Sequence, residues 1–212
     1  PRFKRETPVV GFAGWLTLTS GQAARALMKE LPDRVRGLFD ERYRAKRKGV
    51  FVRQHAARLL RESKLVETNF LSRQSYSANI KTAIGDPETL RREFVENALS
   101  SDLCLDVRGD ANASTRLFEI LSLGRVPLII DTERNFPFSD QLDYGSFGVV
   151  VDFRDLARLP EIVRKTYDSI VPEEWLDMQE KARAAYVEWF RPDAMTKHLL
   201  DRIRSMARQT RV

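Results

Sequence analysis

The segment from Val107 to Asp131 constrains the fold more than any other part of the sequence. It begins with an apolar run, passes through a loop of small and polar residues, continues as a helical pattern, stops at Gly124 and resumes as a second apolar run. This order predicts two parallel strands joined by a crossover helix. In such units the loop and the helix N-terminus present unpaired N–H groups that favour phosphate. A nucleotide-type ligand is therefore the first hypothesis.

The same alternation of short apolar runs and longer amphipathic stretches extends over residues 8–170. A first helix begins at Ser20 and carries Ala24, Leu27, Met28 and Leu31. About five strands are expected, at residues 9–15, 65–71, 103–105, 126–130 and 147–151. Strands that alternate with helices imply right-handed crossovers and a largely parallel sheet. The predicted fold is α/β, with a Rossmann-like parallel sheet flanked by helices.

The last part of the chain differs from the rest because its pattern is entirely helical. We therefore divide the chain into a Rossmann-like domain over residues 1–170 and a helical segment over residues 171–212. One face of the first terminal helix carries Trp175, Met178, Ala182, Ala185, Tyr186 and Trp189. We expect this stripe to pack against the sheet rather than to face a ligand.

Composition limits the classes of protein that the chain can form. Its 212 residues, 42% of them apolar, suffice for one substantial α/β domain or two small ones. The single cysteine, Cys104, excludes an intrachain disulfide, and its apolar neighbours indicate burial. His55 and His198 lie far apart without the spacing of a metal site, so no metal ion is predicted.

The ends and the charge distribution add further limits. No apolar stretch approaches the roughly 20 residues that span a bilayer, and the first residues lack a hydrophobic signal core. The chain begins with Pro1, so we expect a fragment or a processed product. The net charge of +6 is concentrated in residues 1–67, which hold 16 Lys/Arg against 7 Asp/Glu. The first third is therefore the basic part.

Three predicted strands end in residues suited to ligand contact. Their carboxyl ends lie at Gly14, at Arg108 with Gly109, and at Asp131, and such ends converge on one edge of a parallel sheet. The guanidinium of Arg108 suits capture of a diphosphate. The alternative role for Arg108 is an ion pair with a neighbouring acid, Asp106 or Asp110.

The helix start inside the first motif offers a candidate carboxylate. Asn112 and Ser114 are both good N-cap residues, but neither is followed by Glu or Gln three positions later, so no capping box forms. Glu119 therefore needs another role. It either pairs with Arg116 at i,i+3 or binds a ligand. The apolar residues on both sides of Glu119 make a freely solvated side chain unexpected.

The residues around this motif resemble the signature of exostosin-type glycosyltransferases, and most closely its bacterial branch. The resemblance is specific from about Leu103 to Asp152 and weaker elsewhere. The matching elements follow in the family's order: Arg108-Gly109, Ser114 with Arg116-Leu117-Phe118-Glu119, Leu121, Gly124, Pro127 and Phe136-Pro137-Phe138.

The resemblance implies an inverting glycosyltransferase of GT-B architecture, in which two Rossmann-like domains face each other across a cleft. This chain would be its C-terminal half, which binds a nucleotide-diphosphate sugar without a metal ion. By the same resemblance, Glu119 would hold the ribose hydroxyls, Arg108 and the helix start at Ser114 would hold the diphosphate, and Arg116 would touch the donor or orient Glu119. The candidate donor-binding residues are Arg108, Gly109, Asn112, Ser114, Arg116, Glu119 and Gly14.

Inversion also needs a general base that takes the proton of the acceptor hydroxyl. In the GT-B arrangement that group usually belongs to the N-terminal domain, which we expect as a partner in the full-length chain. Within this sequence Asp106, Asp110 and Asp131 lie at the predicted rim, but each is better explained as a partner of Arg108 or as a loop cap. The catalytic base is therefore not assigned, and the chain alone is expected to be inactive.

Two other functions remain open at this stage. Residues 41–48 hold five basic residues and one aromatic, a composition that favours a nucleic acid or an anionic lipid surface, although no nucleic-acid fold motif accompanies them. A nucleotide-binding regulatory domain without transfer chemistry is the third possibility.

Asn112-Ala113-Ser114 is a glycosylation sequon inside the expected donor loop, so a cytoplasmic location is preferred to the Golgi lumen.

Overall fold

Five parallel strands form one sheet in the computed structural model, which describes residues 1–40, 42–45, 47–73, 86–109 and 111–209. The order across the sheet is β2-β1-β3-β4-β5, so β2 lies on one side of β1 and the later strands lie on the other. The strand order therefore reverses between β1 and β3. Ligands of open α/β sheets bind at such a switch point, outside the carboxyl ends of the strands. The strands are β1 (Val9–Trp15), β2 (Glu67–Arg73), β3 (Leu103–Val107), β4 (Val126–Asp131) and β5 (Val149–Asp152).

Helices connect the strands and cover both faces of the sheet. This arrangement confirms the predicted α/β, Rossmann-like class, because each parallel pair needs a crossover. The polar segment between Arg73 and Pro87, for which the sequence favours a loop, lies outside the described residues apart from Asp86. The helices are α1 (Ser20–Arg36), α2 (Arg42–Ala45), α3 (Gly49–Glu62), α4 (Pro87–Ser100), α5 (Arg116–Ser122), α6 (Leu159–Ser169), α7 (Pro172–Ala185) and α8 (Pro192–Gln209), with short 3-10 helices at Tyr144–Ser146 and Phe153–Arg158.

The two faces of the sheet are packed differently. On one face, alternate residues of β1, β3, β4 and β5 meet α3, α6 and the start of α7, and Trp175 is almost fully buried there. On the other face, α4 and α5 cover Cys104 and Ile129. Continuous apolar runs such as the one in β4 are therefore required, since both sides of a central strand are buried.

The predicted glycine stop after α5 is confirmed. Gly124 has φ +61°, a left-handed conformation that glycine adopts without a Cβ clash. The N–H of Arg125 then donates to the carbonyl of Ile120 at 3.2 Å, which closes the last turn before β4 begins. A short helix followed at once by a buried strand is possible because of this turn.

The terminal helices join the same body as the sheet. Trp175 and Met178 pack into the main core, and Ala182, Ala185 and Phe190 pack with α5 on the opposite face. Core packing therefore explains the apolar side chains of α7, as expected, whereas Trp189 lies beyond the end of that helix and stacks on His198 of α8. A π-helical turn at Tyr186–Phe190 separates α7 from the largely exposed α8. Within the described ranges, no helix is long and apolar enough to cross a membrane.

Candidate functional site

The candidate site lies where the carboxyl ends of β1, β3 and β4 meet. The loop between β3 and α5 is joined to the loop after β4 through Asn112, whose amide nitrogen donates to the carbonyls of Thr132 (3.1 Å) and Glu133 (3.0 Å). Its amide oxygen accepts from the Thr132 hydroxyl at 2.8 Å. These bonds occupy the polar atoms of Asn112, so the side chain positions the rim loops.

The buried carboxylate of Asp106 connects the loop that follows β3 to the loop that follows β4. The Ser114 hydroxyl donates to its Oδ1 at 2.5 Å, and Nη2 of Arg134 donates to its Oδ2 at 2.7 Å, with both charged side chains almost fully buried. The sequence-based expectation that Asp106 pairs with Arg108 is therefore wrong. Asp131 accepts from the backbone N–H of Arg134 at 3.1 Å, which confirms its predicted role as a loop cap.

Sequence reasoning missed Arg134. The available signal was its place three residues after β4, which resembles the place of Arg108 directly after β3. Arg108 and Arg134 each place a cation at the rim. The local sequence does not indicate which of these two side chains pairs with Asp106. Asp110, the other expected partner of Arg108, lies outside the described residues.

Arg108 occupies the predicted rim position, and its side chain reaches α2. Its side chain is buried, and Nη1 donates to the carbonyl of Ala45 in α2 at 2.8 Å. Its own carbonyl accepts from Nη2 of Arg53 at 3.1 Å. Gly49, the first residue of α3, packs against the carbonyls of Arg108 and Gly109. Arg108 thus joins the candidate loop to α2 and α3.

Arg116 ties the start of α5 to β1. Its Nη1 donates to the carbonyl of Ala13 at 2.6 Å, and its guanidinium lies 4.3 Å from the ring centroid of Phe12. Burial lowers the pKa of Arg116, while Glu119 and Asp106 oppose that shift. Gly14 lies within β1 rather than in a loop after it, and a Cβ there would come within 2.6 Å of Nη2 of Arg116. Gly14 therefore provides the space for this guanidinium.

Glu119 carries a free carboxylate. It lies in the first turn of α5, is exposed to solvent and forms no ion pair with a described residue. The alternative pair with Arg116 does not form, because Arg116 is turned toward Ala13. The side chain is exposed although its apolar neighbours made a freely solvated Glu119 unexpected. Partial burial still raises the pKa of Glu119, against the opposing charges of Arg116 and Arg91.

The start of α5 lacks a side-chain cap. The N-cap is Thr115, which makes no capping hydrogen bond, so the expectation that Asn112 or Ser114 caps the helix is wrong. Among the described residues, the backbone N–H groups from Ser114 to Leu117 have no hydrogen-bond acceptor. Unpaired N–H groups at the positive end of a helix attract an anion.

Metal-binding side chains do not gather at this rim. In the described ranges, no group of three or more His, Cys, Asp or Glu residues is placed to hold a metal ion. Among the described residues, the rim offers instead a carboxylate without an ion pair, N–H groups without an acceptor and the guanidinium of Arg116, whereas Arg134 is already paired with Asp106. This set can accept hydrogen bonds from hydroxyls and can bind an anion.

Comparisons with known proteins give a consistent result. A profile of the Exostosin GT47 domain matches residues 28–166, more than half of the chain. Exostosin-1 homolog of Caenorhabditis elegans is 33% identical over 52% of this chain and 28% of its own length. "Probable arabinosyltransferase ARAD1" of Arabidopsis thaliana is 26% identical over 51% of this chain and 25% of its own length. A "Probable glucuronosyltransferase" of Oryza sativa subsp. japonica is 36% identical over 33% of this chain and 16% of its own length. The chain thus spans less than a third of the length of these relatives.

Proposed function

Because the chain belongs to the exostosin GT47 domain family, we propose that it is the donor-binding half of an inverting glycosyltransferase of GT-B architecture. The observation that carries this proposal is the exposed carboxylate of Glu119 beside the N–H groups from Ser114 to Leu117, none of which has a partner among the described residues. Arg116 anchors this helix start to β1, next to the switch point of the sheet. A nucleotide-diphosphate sugar presents a ribose and a diphosphate, which match these two features.

The ribose is bound by Glu119 in this proposal. A carboxylate with no internal partner can accept hydrogen bonds from two neighbouring hydroxyls, and charged acceptors make stronger bonds than neutral ones. The guanidinium of Arg116 contacts the carbonyl of Ala13 and the ring of Phe12 rather than the carboxylate of Glu119. Glu119 is therefore available to bind the ribose. Arg116 is therefore a positioning residue for Glu119 as well as a source of positive charge.

The diphosphate lies against the N–H groups of the α5 start. Arg108 is held by the carbonyl of Ala45 and Arg116 by that of Ala13, so the positions of both guanidinium groups are fixed before the leaving diphosphate forms. Gly109, Asn112 and Ser114 shape the loop that carries these groups. Fixed cations of this kind take the place of a divalent metal ion in the proposed mechanism.

Sugar transfer also requires a general base and a binding site for the acceptor. The acceptor oxygen attacks the anomeric carbon, the bond from that carbon to the diphosphate oxygen breaks, and the acceptor proton passes to a base. Asp106 is fully engaged by Ser114 and Arg134, and Asp131 caps its loop, so neither is suited to be that base. We assign the base and the recognition of a glycan or other hydroxyl acceptor to an N-terminal Rossmann-like domain. Of the helical residues 171–212, α7 packs on the present domain, and α8 would pack on it as well or cross to the second one.

A cytoplasmic location fits the loop geometry better than a Golgi lumen. The amide of the sequon residue Asn112 is bonded to both Thr132 and Glu133, so a glycan on this nitrogen would break those contacts. Expression of the chain in a glycosylating compartment is expected to lower its donor affinity unless the sequon is removed.

Calorimetry with nucleoside diphosphates, their sugars and the matching 2′-deoxy nucleotides tests the proposal. We expect one ribonucleoside diphosphate to bind about ten- to hundredfold more tightly than its 2′-deoxy form, because one charge-assisted hydrogen bond to the ribose is worth that factor. Glu119→Ala should abolish this difference. The matched control is Glu161→Ala, which removes an exposed first-turn glutamate from α6 and should leave both affinities unchanged.

Two outcomes would contradict the donor site. The first is that no nucleotide or nucleotide sugar binds, and the second is that Glu119→Ala leaves the ribose preference intact. Strong, salt-sensitive affinity for RNA or DNA that disappears when the basic residues of 42–48 are neutralised would support a nucleic-acid-binding module instead.

A further inference from the structure

Helix α1 turns its apolar side chains away from the rest of the protein. Only Ala26 and Glu30 of this helix are buried. The side chains on the outer face form a stripe that continues past the end of the helix. Its members, with their exposed fractions, are Leu27 (43%), Met28 (71%), Leu31 (56%), Val35 (52%), Leu38 (72%) and Phe39 (88%). We call these six residues the α1 stripe. Isolated exposed apolar residues are ordinary, but a contiguous set of this kind marks a contact surface.

The inner face of α1 fixes this orientation. The buried carboxylate of Glu30 accepts hydrogen bonds from Nε of Arg34 (3.2 Å) and from the backbone N–H of Lys48. Arg34 also stacks over the ring of Phe51 in α3 at 5.3 Å. At about 100° per residue, Ala26 and Glu30 lie on the opposite side of the helix from Leu31 and Val35. The stripe therefore faces solvent while α1 remains attached to the domain.

Basic side chains outnumber acidic ones beside the stripe, where Asp40 follows Phe39. Arg25, Lys29 and Arg36 lie along one edge of it, and Arg25 and Lys29 form no ion pair with a described residue. The helix's own acids, Glu30 and Asp33, lie on the other side, where Arg34 and Arg36 pair with them. The following sequence is also basic, and its described side chains include Arg47 and Lys48. The surface is thus apolar in the middle and basic at its edge.

We propose that the α1 stripe docks on an anionic lipid surface, with α1 lying in the plane of the membrane. An amphipathic helix with exposed Leu, Met and Phe side chains and a basic edge places its apolar face at the boundary of headgroups and acyl chains. Basic side chains at that depth are attracted by anionic headgroups. A second copy of the chain fits less well, because pairing two such stripes would bring Arg25 and Lys29 of both copies together, and the acids of α1 already pair with Arg34 and Arg36.

Vesicle co-sedimentation of the whole chain tests this proposal. We expect binding to vesicles of equal parts phosphatidylcholine and phosphatidylglycerol, weaker binding at high salt, and little binding to phosphatidylcholine alone. The variant Leu27→Gln/Leu31→Gln/Val35→Gln should lower the partition coefficient at least about a hundredfold, since three buried apolar contacts are lost. The variant Arg25→Gln/Lys29→Gln should lower it about 25-fold, at about fivefold for each basic side chain.

The terminal helix provides a matched control. Leu199, Leu200 and Ile203 of α8 are exposed to a similar degree (44%, 46% and 62%), but two cations of that helix, Arg202 and Arg204, are paired with Asp140 and Asp201. The variant Leu199→Gln/Leu200→Gln/Ile203→Gln should keep wild-type partitioning. All substituted side chains are exposed, so thermal unfolding should stay unchanged and show that the variants are folded.

Three results would overturn the assignment. They are no binding of the wild type to the anionic vesicles, equal losses in the α1 and α8 variants, and a wild-type dimer in solution that the α1 variant dissociates. The last result would make the stripe a contact between two copies of the chain. None of these measurements depends on nucleotide binding, so the donor site and the membrane surface succeed or fail separately.

Discussion

Replacing Asp106 by alanine is expected to lower the free energy of unfolding by about 3–5 kcal/mol, because it leaves a buried cation without its partner. Arg134 is almost fully buried, and Asp106 is the acid it pairs with at 2.7 Å. The same change removes the acceptor of the Ser114 hydroxyl, so the loop before α5 loses its anchor. Urea unfolding measures the stability loss, and calorimetry should show weaker nucleotide binding by the remaining folded protein.

Two further variants test whether the loss of stability comes from breaking the buried pair or from removing any charged side chain. Asp106→Ala/Arg134→Met removes both charges, so it should recover part of the loss and show coupling between the two sites. Asp140→Ala breaks the pair with Arg202, in which both side chains are about half exposed, and should cost less than about 1 kcal/mol. If Asp106→Ala behaves like Asp140→Ala, the buried pair does not hold the rim together.

Gly49→Ala is expected to cost about 2–3 kcal/mol because there is no room for the added methyl group. A Cβ at this position would lie 2.0 Å from the carbonyl oxygen of Arg108 and 2.5 Å from that of Gly109. Both obstacles are backbone atoms, so either α3 or the candidate loop must move. We therefore expect Gly49→Ala to lower nucleotide affinity as well as stability, as measured by calorimetry and urea unfolding.

Gly21→Ala is the control for this substitution. Gly21 lies in the first turns of α1, and a Cβ there would meet nothing within 4 Å. Alanine has the higher helix propensity, so Gly21→Ala should raise the free energy of unfolding by up to about 1 kcal/mol without changing nucleotide affinity. Equal effects of the two substitutions would mean that α3 does not support the loop at Arg108.

The elements of the fold were predictable because their signals are local. Buried strands appear as apolar runs in β3, β4 and β5, and helices appear as apolar residues at spacings of three and four. The left-handed turn at Gly124 follows from the freedom of glycine after a helical pattern. Boundaries shifted by a few residues, as in β2, which begins at Glu67 rather than at residue 65.

The partners of the charged residues were not predictable in the same way. Arg116 bonds to Ala13, which is 103 positions away in the sequence, and Arg108 bonds to Ala45, which is 63 positions away. The expected neighbours, Glu119 and Asp106, were nearer in the sequence. Guanidinium groups on long side chains can reach several acceptors, and the choice among them depends on how loops from different strands meet.

The α/β class, the parallel strands, the glycine stop after α5 and the place of the candidate loop at the rim could all be predicted from the amino-acid pattern. Three findings needed the folded chain: Arg134 rather than Arg108 neutralises Asp106, Glu119 has no ion pair among the described residues, and the α1 stripe faces solvent. The physical reason is the sequence distance over which the relevant contacts act. Apolar periodicity depends on neighbours within one element, whereas pairing and exposure depend on contacts between elements that are distant in the chain.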